Sequence, residues 1–361
     1  MSEAPAHASY RPGSVFLRLS LDCFDEFGKP AIGPRSPRGR RVSAAKLAKS
    51  FCPINNPTTR LIIDSGDDHA RPRSPPANAS IGRPMCVGNE ITGHGDHRRS
   101  LAAVGARVVN ADPVQLSFDA GGSGDALLLC IHGLGANGRV WQPFVALAPE
   151  RWPGRWIAPD LRGHGHSDGG THYDVTAYAA DIAALVRTQT DGPITVIGHS
   201  LGGVIALALA DPALDLDVTA VFALGVKVAW SEEELQQMQA LSERQPRIFG
   251  SSEEALAFYG RQSGLGPIEP GSAMSERAVV AATGGWRTAM DPRAYAVSRP
   301  DMDGLLHAAR CQHSLARGAT DPMVSHEQLR ALDPRAVDIP EAGHNAMVDA
   351  PLAVWDWLAG R

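Results

Sequence analysis

From residue 107 onward the chain alternates two hydrophobic patterns. Short, nearly unbroken apolar runs such as Leu127-Leu128-Leu129-Cys130-Ile131 and Ile194-Thr195-Val196-Ile197 are followed by longer stretches with apolar residues every three or four positions. Side chains alternate faces along a strand, so an unbroken run predicts a strand covered on both faces. The three-to-four spacing predicts helices with one buried stripe. Strands are predicted near 114–118, 126–131, 155–159, 193–198, 218–225, 311–317 and 335–339. Helices fall near 141–149, 176–189, 200–210, 325–332 and 350–359. This alternation predicts an α/β fold with a mostly parallel, doubly wound sheet. The segment at about 227–301 is too long for a simple connection and has helical patterns of its own near 231–244, 252–262 and 274–283. It is expected to form a helical cap inserted over the sheet edge.

Residues 1–106 do not follow these patterns. Clusters such as Pro34-Arg35-Ser36-Pro37-Arg38 and Arg71-Pro72-Arg73-Ser74-Pro75-Pro76 interrupt any period, so a disordered extension is expected, with the folded domain spanning 107–361. The extension holds 15 Lys and Arg against 9 Asp and Glu, and the remainder 19 against 30, for an overall charge of −5. A basic arm for nucleic acid or an acidic partner is the alternative. It is disfavoured because aromatics are not interleaved with the basic residues and Asp64, Asp67 and Asp68 interrupt them. A start nearer Val104–Val109 is a further reading of the same segment. The apolar patch at 15–19 is too short and too charged for a signal peptide, and no apolar run is long enough for a membrane span. Five scattered cysteines (Cys23, Cys52, Cys86, Cys130 and Cys311) predict free thiols and a reducing, cytoplasmic compartment.

Candidate chemistry centres on Gly198-His199-Ser200-Leu201-Gly202, a G-x-S-x-G stretch between a predicted strand and a predicted helix. A serine on so sharp a turn has a strained backbone, and small neighbours let strand and helix approach closely. Two further candidates lie on loops that follow predicted strands: Asp321 in Ala319-Thr320-Asp321-Pro322 and His344 in Glu341-Ala342-Gly343-His344. Serine, acid and histidine in that chain order suit nucleophilic catalysis. A hydroxyl needs a base to take its proton, imidazole titrates in the right range, and a carboxylate fixes the imidazole tautomer. His164 and His166 lie two residues apart in a Gly-rich loop without a carboxylate or cysteine partner, so no metal site is expected. Gly133-Leu134-Gly135 lacks the third glycine of a dinucleotide fingerprint, and no cofactor is expected.

Four motifs resemble the α/β-hydrolase superfamily, in its single-domain serine esterase and lactonase branch. They are the strand and H-G-x-G loop at 127–135, Asp160-Leu161-Arg162-Gly163-His164-Gly165-His166-Ser167, the serine turn, and the Asp321 and Gly343-His344 loops. The resemblance implies Ser200 as nucleophile, His344 as general base and Asp321 as orienting acid. It also implies an oxyanion hole from the backbone N–H groups of Leu134 and Leu201. Cap residues Trp230, Phe258, Trp286 and Met290 are expected to line an apolar substrate pocket. The expected activity is hydrolysis of a small, fairly apolar carboxylic ester, with water as second substrate. Lactone opening and carbon–carbon bond hydrolysis are alternatives on the same triad, and a non-catalytic ligand-binding protein is a third reading. Neither nucleic acid nor membrane is expected as a partner.

Overall fold

A computed structural model describes residues 114–360; the expected extension, with Cys23, Cys52 and Cys86, lies outside the described residues. Seven strands form one sheet: β1 (Phe118–Gly122), β2 (Leu127–Ile131), β3 (Arg155–Pro159), β4 (Ile194–His199), β5 (Val218–Leu224), β8 (Gln312–Gly318) and β9 (Val337–Ile339). Between β5 and β8 the strands β6 (Val279–Ala282) and β7 (Gly285–Thr288) make a separate two-stranded ribbon. The sheet order is β1-β3-β2-β4-β5-β8-β9, parallel throughout except for β1, which runs antiparallel to β3. Helices are α1 (Gln142–Val145), α2 (Ala148–Arg151), α3 (Val175–Gln189), α4 (Leu201–Leu209), α5 (Glu232–Ser242), α6 (Ser252–Gln262), α7 (Met302–Ala308), α8 (His326–Leu332), α9 (Ala346–Asp349) and α10 (Pro351–Ala359).

The unbroken apolar strands are explained by the two faces they serve. Leu127, Leu129 and Ile131 of β2 pack with Ile182 and Val186 of α3 and Ile205 of α4. Leu128 and Cys130, pointing the other way, join Trp141, Phe144, Trp355 and Trp357. Phe144 and Trp355 stack with ring centres 4.2 Å apart, and the Trp355 Nε1–H donates to the Phe144 carbonyl at 2.8 Å. Burying an aromatic side chain of this kind contributes on the order of 3 kcal/mol. Burial also pushes the Cys130 thiol far above its ordinary range, so it behaves as a small apolar side chain.

The structure departs from the sequence pattern in four places. The first strand is β1 at 118–122 rather than 114–118. Residues 115–117 bond instead to the loop after β3: Ser117 N–H donates to Ser167 Oγ at 2.9 Å, and Asp160 N–H to the Ser117 carbonyl at 2.8 Å. The helix expected at 141–149 is a 3₁₀ turn plus two short helices, because Pro143 and Pro149 each sit at a helix start. The helix expected at 274–283 is a 3₁₀ turn followed by the β6–β7 ribbon. Val279 and Val280 favour the extended form, and Gly284 at φ 86° makes the turn. Helix α7 had no apolar signal, and Asp301 starts it by accepting the Gly304 N–H at 2.9 Å.

The ribbon is joined to the rest of the domain by main-chain bonds. Gly165 N–H donates to the Ala289 carbonyl and Asp291 N–H to the Gly163 carbonyl, each at 2.7 Å. Arg277, beside the ribbon, pairs with Asp119 of β1 and with buried Asp160. Helix α5 packs beside the turn at Pro292–Tyr295, buries Met238, and makes ion pairs through Lys227–Glu234 and Arg299–Glu232, the latter at 2.7 Å.

Candidate active site

Parallel strands bring the loops after β2, β4, β5, β8 and β9 to one edge of the sheet, where open α/β sheets bind ligands. Ser200 sits between β4 and α4 at φ 52° and ψ −117°, a conformation that L-residues rarely adopt. Its N–H donates to the Leu224 carbonyl at 2.8 Å, and its own carbonyl accepts from Gly203 at 2.9 Å. The flanking glycines are sterically required: a Cβ on Gly198 would collide with the Gly202 carbonyl, and one on Gly202 with the Ile131 carbonyl. The Ser200 hydroxyl does not cap α4, which leaves it available for chemistry.

Asp321 and His344 come together as the sequence expectation placed them. His344 Nδ1–H donates to Asp321 Oδ2 at 2.8 Å, and Asp321 Oδ1 accepts the Met323 N–H at 2.7 Å. Thr320 ties the acid loop to the histidine loop, its N–H and Oγ both donating to the Ala342 carbonyl at 2.9 Å. Burial alone would raise the Asp321 carboxyl, but the bonds from His344 and Met323 outweigh it and hold the group below the usual carboxylate range. An ionised Asp321 keeps the proton on His344 Nδ1.

Two buried histidines brace the loop after β2. His132 Nδ1–H donates to the Gly133 carbonyl at 2.7 Å, and its Nε2 accepts the Leu161 N–H at 2.9 Å. His164 Nδ1–H donates to the Arg162 carbonyl at 3.0 Å, and its Nε2 accepts the Gly135 N–H at 3.2 Å. Burial lowers His132 to about 4 and His164 to about 3, so both are neutral near pH 7. His199 is likewise lowered to about 3 by burial, and its Nε2–H donates to the His344 carbonyl at 2.9 Å. Asp160 accepts N–H groups from Gly138 and His166 at 2.8 and 2.9 Å. Arg162 makes a two-pronged buried pair with Asp181, one prong at 2.7 Å.

A cavity of about 80 Å³ is lined by both Ser200 and His344. Leu134 and Leu201 line it too; Leu201 opens α4, so its N–H has no acceptor within the helix. Of the four expected cap residues, Trp230 alone lines this cavity. Phe258 packs on Phe249 with ring centres 5.2 Å apart, Trp286 pairs with the Phe249 backbone, and Met290 is buried beside His164. None of these three lines the cavity: Phe258 and Trp286 pack within the cap against Phe249, and Met290 follows the ribbon and meets His164. Met238, Val297, Pro300, Val175 and Met323 supply the apolar lining instead. No sequence signal marks the 297–300 stretch or Asp181. Asp181 lies on a helix that the apolar period locates, and its partner can be recognised only in three dimensions.

Residues 128–357 match the alpha/beta hydrolase family. The chain belongs to that family. Lipase LipV of Mycobacterium tuberculosis is 31% identical over 220 residues, covering 60% of this chain and 83% of that protein. The 2-(acetamidomethylene)succinate hydrolase of Mesorhizobium japonicum is 33% identical over 174 residues, covering 48% of this chain and 60% of that one. A solved structure of E-2-(acetamidomethylene)succinate hydrolase superposes with a TM-score of 0.59 at 26% identity, over 68% of this chain and 94% of that one. Some other relatives are matched over only 27% or 40% of their own length. The relatives include a lipase, a methylesterase and a hydrolase, and this member of the family is a hydrolase with the mostly parallel sheet of its fold. Among the described residues no helix is long and apolar enough to cross a membrane.

Proposed function

We propose that this protein hydrolyses a small, fairly apolar carboxylic ester through an acyl-enzyme on Ser200. The observation that carries the reading is the His344–Asp321 hydrogen bond at a cavity shared with a serine in a strained turn. Ser200 Oγ attacks the ester carbonyl as His344 Nε2 takes its proton, and the oxyanion receives the N–H groups of Leu134 and Leu201. The intermediate collapses, the alcohol leaves with the proton from His344, and water repeats the sequence to release the acid. Asp321 orients His344 and offsets the charge it gains. The mostly apolar lining and modest volume favour short acyl chains. The lipase named among the relatives adds support for ester chemistry.

The direct test is turnover of p-nitrophenyl esters of graded acyl length, with γ-lactones alongside. Turnover concentrated on short acyl chains is expected. Hydrolysis of lactones alone would replace ester by lactone as the substrate class, and turnover of nothing in the panel would remove the reading. The acid role has its own test. Asp321→Asn keeps the shape but can hold His344 in the wrong tautomer, so kcat is expected to fall on the order of 10⁴-fold. Circular dichroism should show an intact fold in that variant. Near-normal activity between about pH 6 and 9 would assign the acid elsewhere.

A further inference from the structure

The cavity wall opposite simple ester chemistry holds a cation that the mechanism above does not use. Lys227 lies just past β5, after Gly225 at φ 65°, and it lines the cavity together with Trp230. Its ammonium pairs with Glu234 and lies 4.8 Å from the centre of the Trp230 ring. The Trp230 Nε1–H donates to the Lys227 carbonyl at 3.1 Å, fixing the ring against the lysine stem. Glu234 is fully engaged: its second oxygen accepts the Ser231 N–H at 2.9 Å, closing the capping box of α5. Both charged side chains are largely enclosed, at 13% and 11% exposure.

An ammonium carries three N–H donors. Glu234 takes one, and among the described residues no other oxygen accepts from Lys227. Enclosed donors are normally satisfied, so this wall offers hydrogen bonds to whatever fills the cavity. The charge balance then selects the ligand. Glu234 neutralises Lys227, and Asp174 on the same cavity adds a negative charge, so an incoming carboxylate meets no net positive field. It would also have to be stripped of water in a mostly apolar site. An uncharged oxygen keeps the benefit of a charge-assisted bond with far less to lose on desolvation.

We propose that the cavity selects esters bearing a second, uncharged oxygen acceptor, a ketone or ether, and that Lys227 is the residue that reads it. The inference rests on the ester-hydrolase reading for its reaction, and its test does not depend on turnover. Three ethyl esters of matched shape serve as probes: 4-methylpentanoate, 4-oxopentanoate and the monoester of butanedioate. The same three end groups are also placed on the alcohol side of acetates. Affinities are measured by NMR titration of the full chain carrying Ser200→Ala, which removes the nucleophile and keeps the wall.

On at least one side of the ester, the ketone is expected to bind about ten- to hundredfold tighter than its hydrocarbon match. The carboxylate is expected to bind no better than the hydrocarbon. Adding Lys227→Met should bring the ketone advantage to about onefold. Lys227→Met with Glu234→Gln, which strands no carboxylate, should do the same. Glu234→Gln alone removes the carboxylate paired with Lys227 and should raise carboxylate affinity about tenfold relative to the hydrocarbon match, a gain that a merely structural lysine would not produce. Equal binding of ketone and hydrocarbon on both sides would overturn the proposal. So would a carboxylate that binds best before any change at 227 or 234, or a ketone advantage that survives Lys227→Met. Failure of the ester reading shows separately, as no turnover of any ester by the protein with Ser200 intact.

Discussion

Ser200→Ala is expected to abolish turnover, with a loss of at least about four orders of magnitude in kcat. In the proposed mechanism this hydroxyl forms the covalent intermediate. Folding should survive, because alanine keeps the Cβ and inherits the same strained backbone at φ 52°, while the serine hydroxyl makes no capping bond to α4. The thermal midpoint should therefore stay close to that of the parent chain. A serine-directed phosphonate should label Ser200 in the parent and nothing in the variant. Full activity in Ser200→Ala, or labelling at another serine, would end the serine mechanism.

Lowering the pH from 7 to 5 is expected to cost the fold roughly 5 kcal/mol, a large part of the 5–15 kcal/mol typical of a domain. His132, His164 and His199 are buried, and burial lowers them to about 4, 3 and 3. In the unfolded chain each returns to about 6.5. Below that value the unfolded chain binds three protons that the folded chain refuses. Stability is thus complete above about pH 6.5 and falls as the pH drops, with a slope approaching 4 kcal/mol per pH unit until the folded values are reached. Asp321, depressed in the fold, adds its own loss only below the ordinary carboxylate range. Urea midpoints at pH 7, 6 and 5 measure the slope, and replacing any one of the three histidines by glutamine should remove about a third of it. A flat profile would mean that these imidazoles are charged or exposed.

The part of the molecule that chain order and period specify was readable in advance. Six of the seven predicted strands overlap sheet strands almost end to end, since a strand buried on both faces leaves an unbroken apolar run. Asp321 and His344 could be placed because each follows a strand directly, and a parallel sheet sends those loops to one edge. Two of the three expected cap helices overlap α5 and α6, and the third resisted the same reasoning. Its ribbon at 279–288 has too few residues to establish a period of two, and a Gly-Gly turn decides it. Pocket residues were the least legible, because Val297 and Pro300 reach the cavity through the path of a loop, which no local pattern encodes. Trp286 and Met290 have the composition of pocket residues, and the ribbon directs them elsewhere.

The unequal anchoring of the segment over the site has a consequence for traffic. Along the ribbon the connection is main chain to main chain, from Gly163 and Gly165 to Asp291 and Ala289, with Arg277 braced on two carboxylates below. At α5 there are two ion pairs, an enclosed one to Lys227 and a largely exposed one to Arg299 of the same segment. Exposed pairs release at little cost, whereas buried backbone bonds open only with the surrounding structure. Local opening is therefore expected to begin at α5 before the ribbon, at the end of the segment where Lys227 lines the cavity.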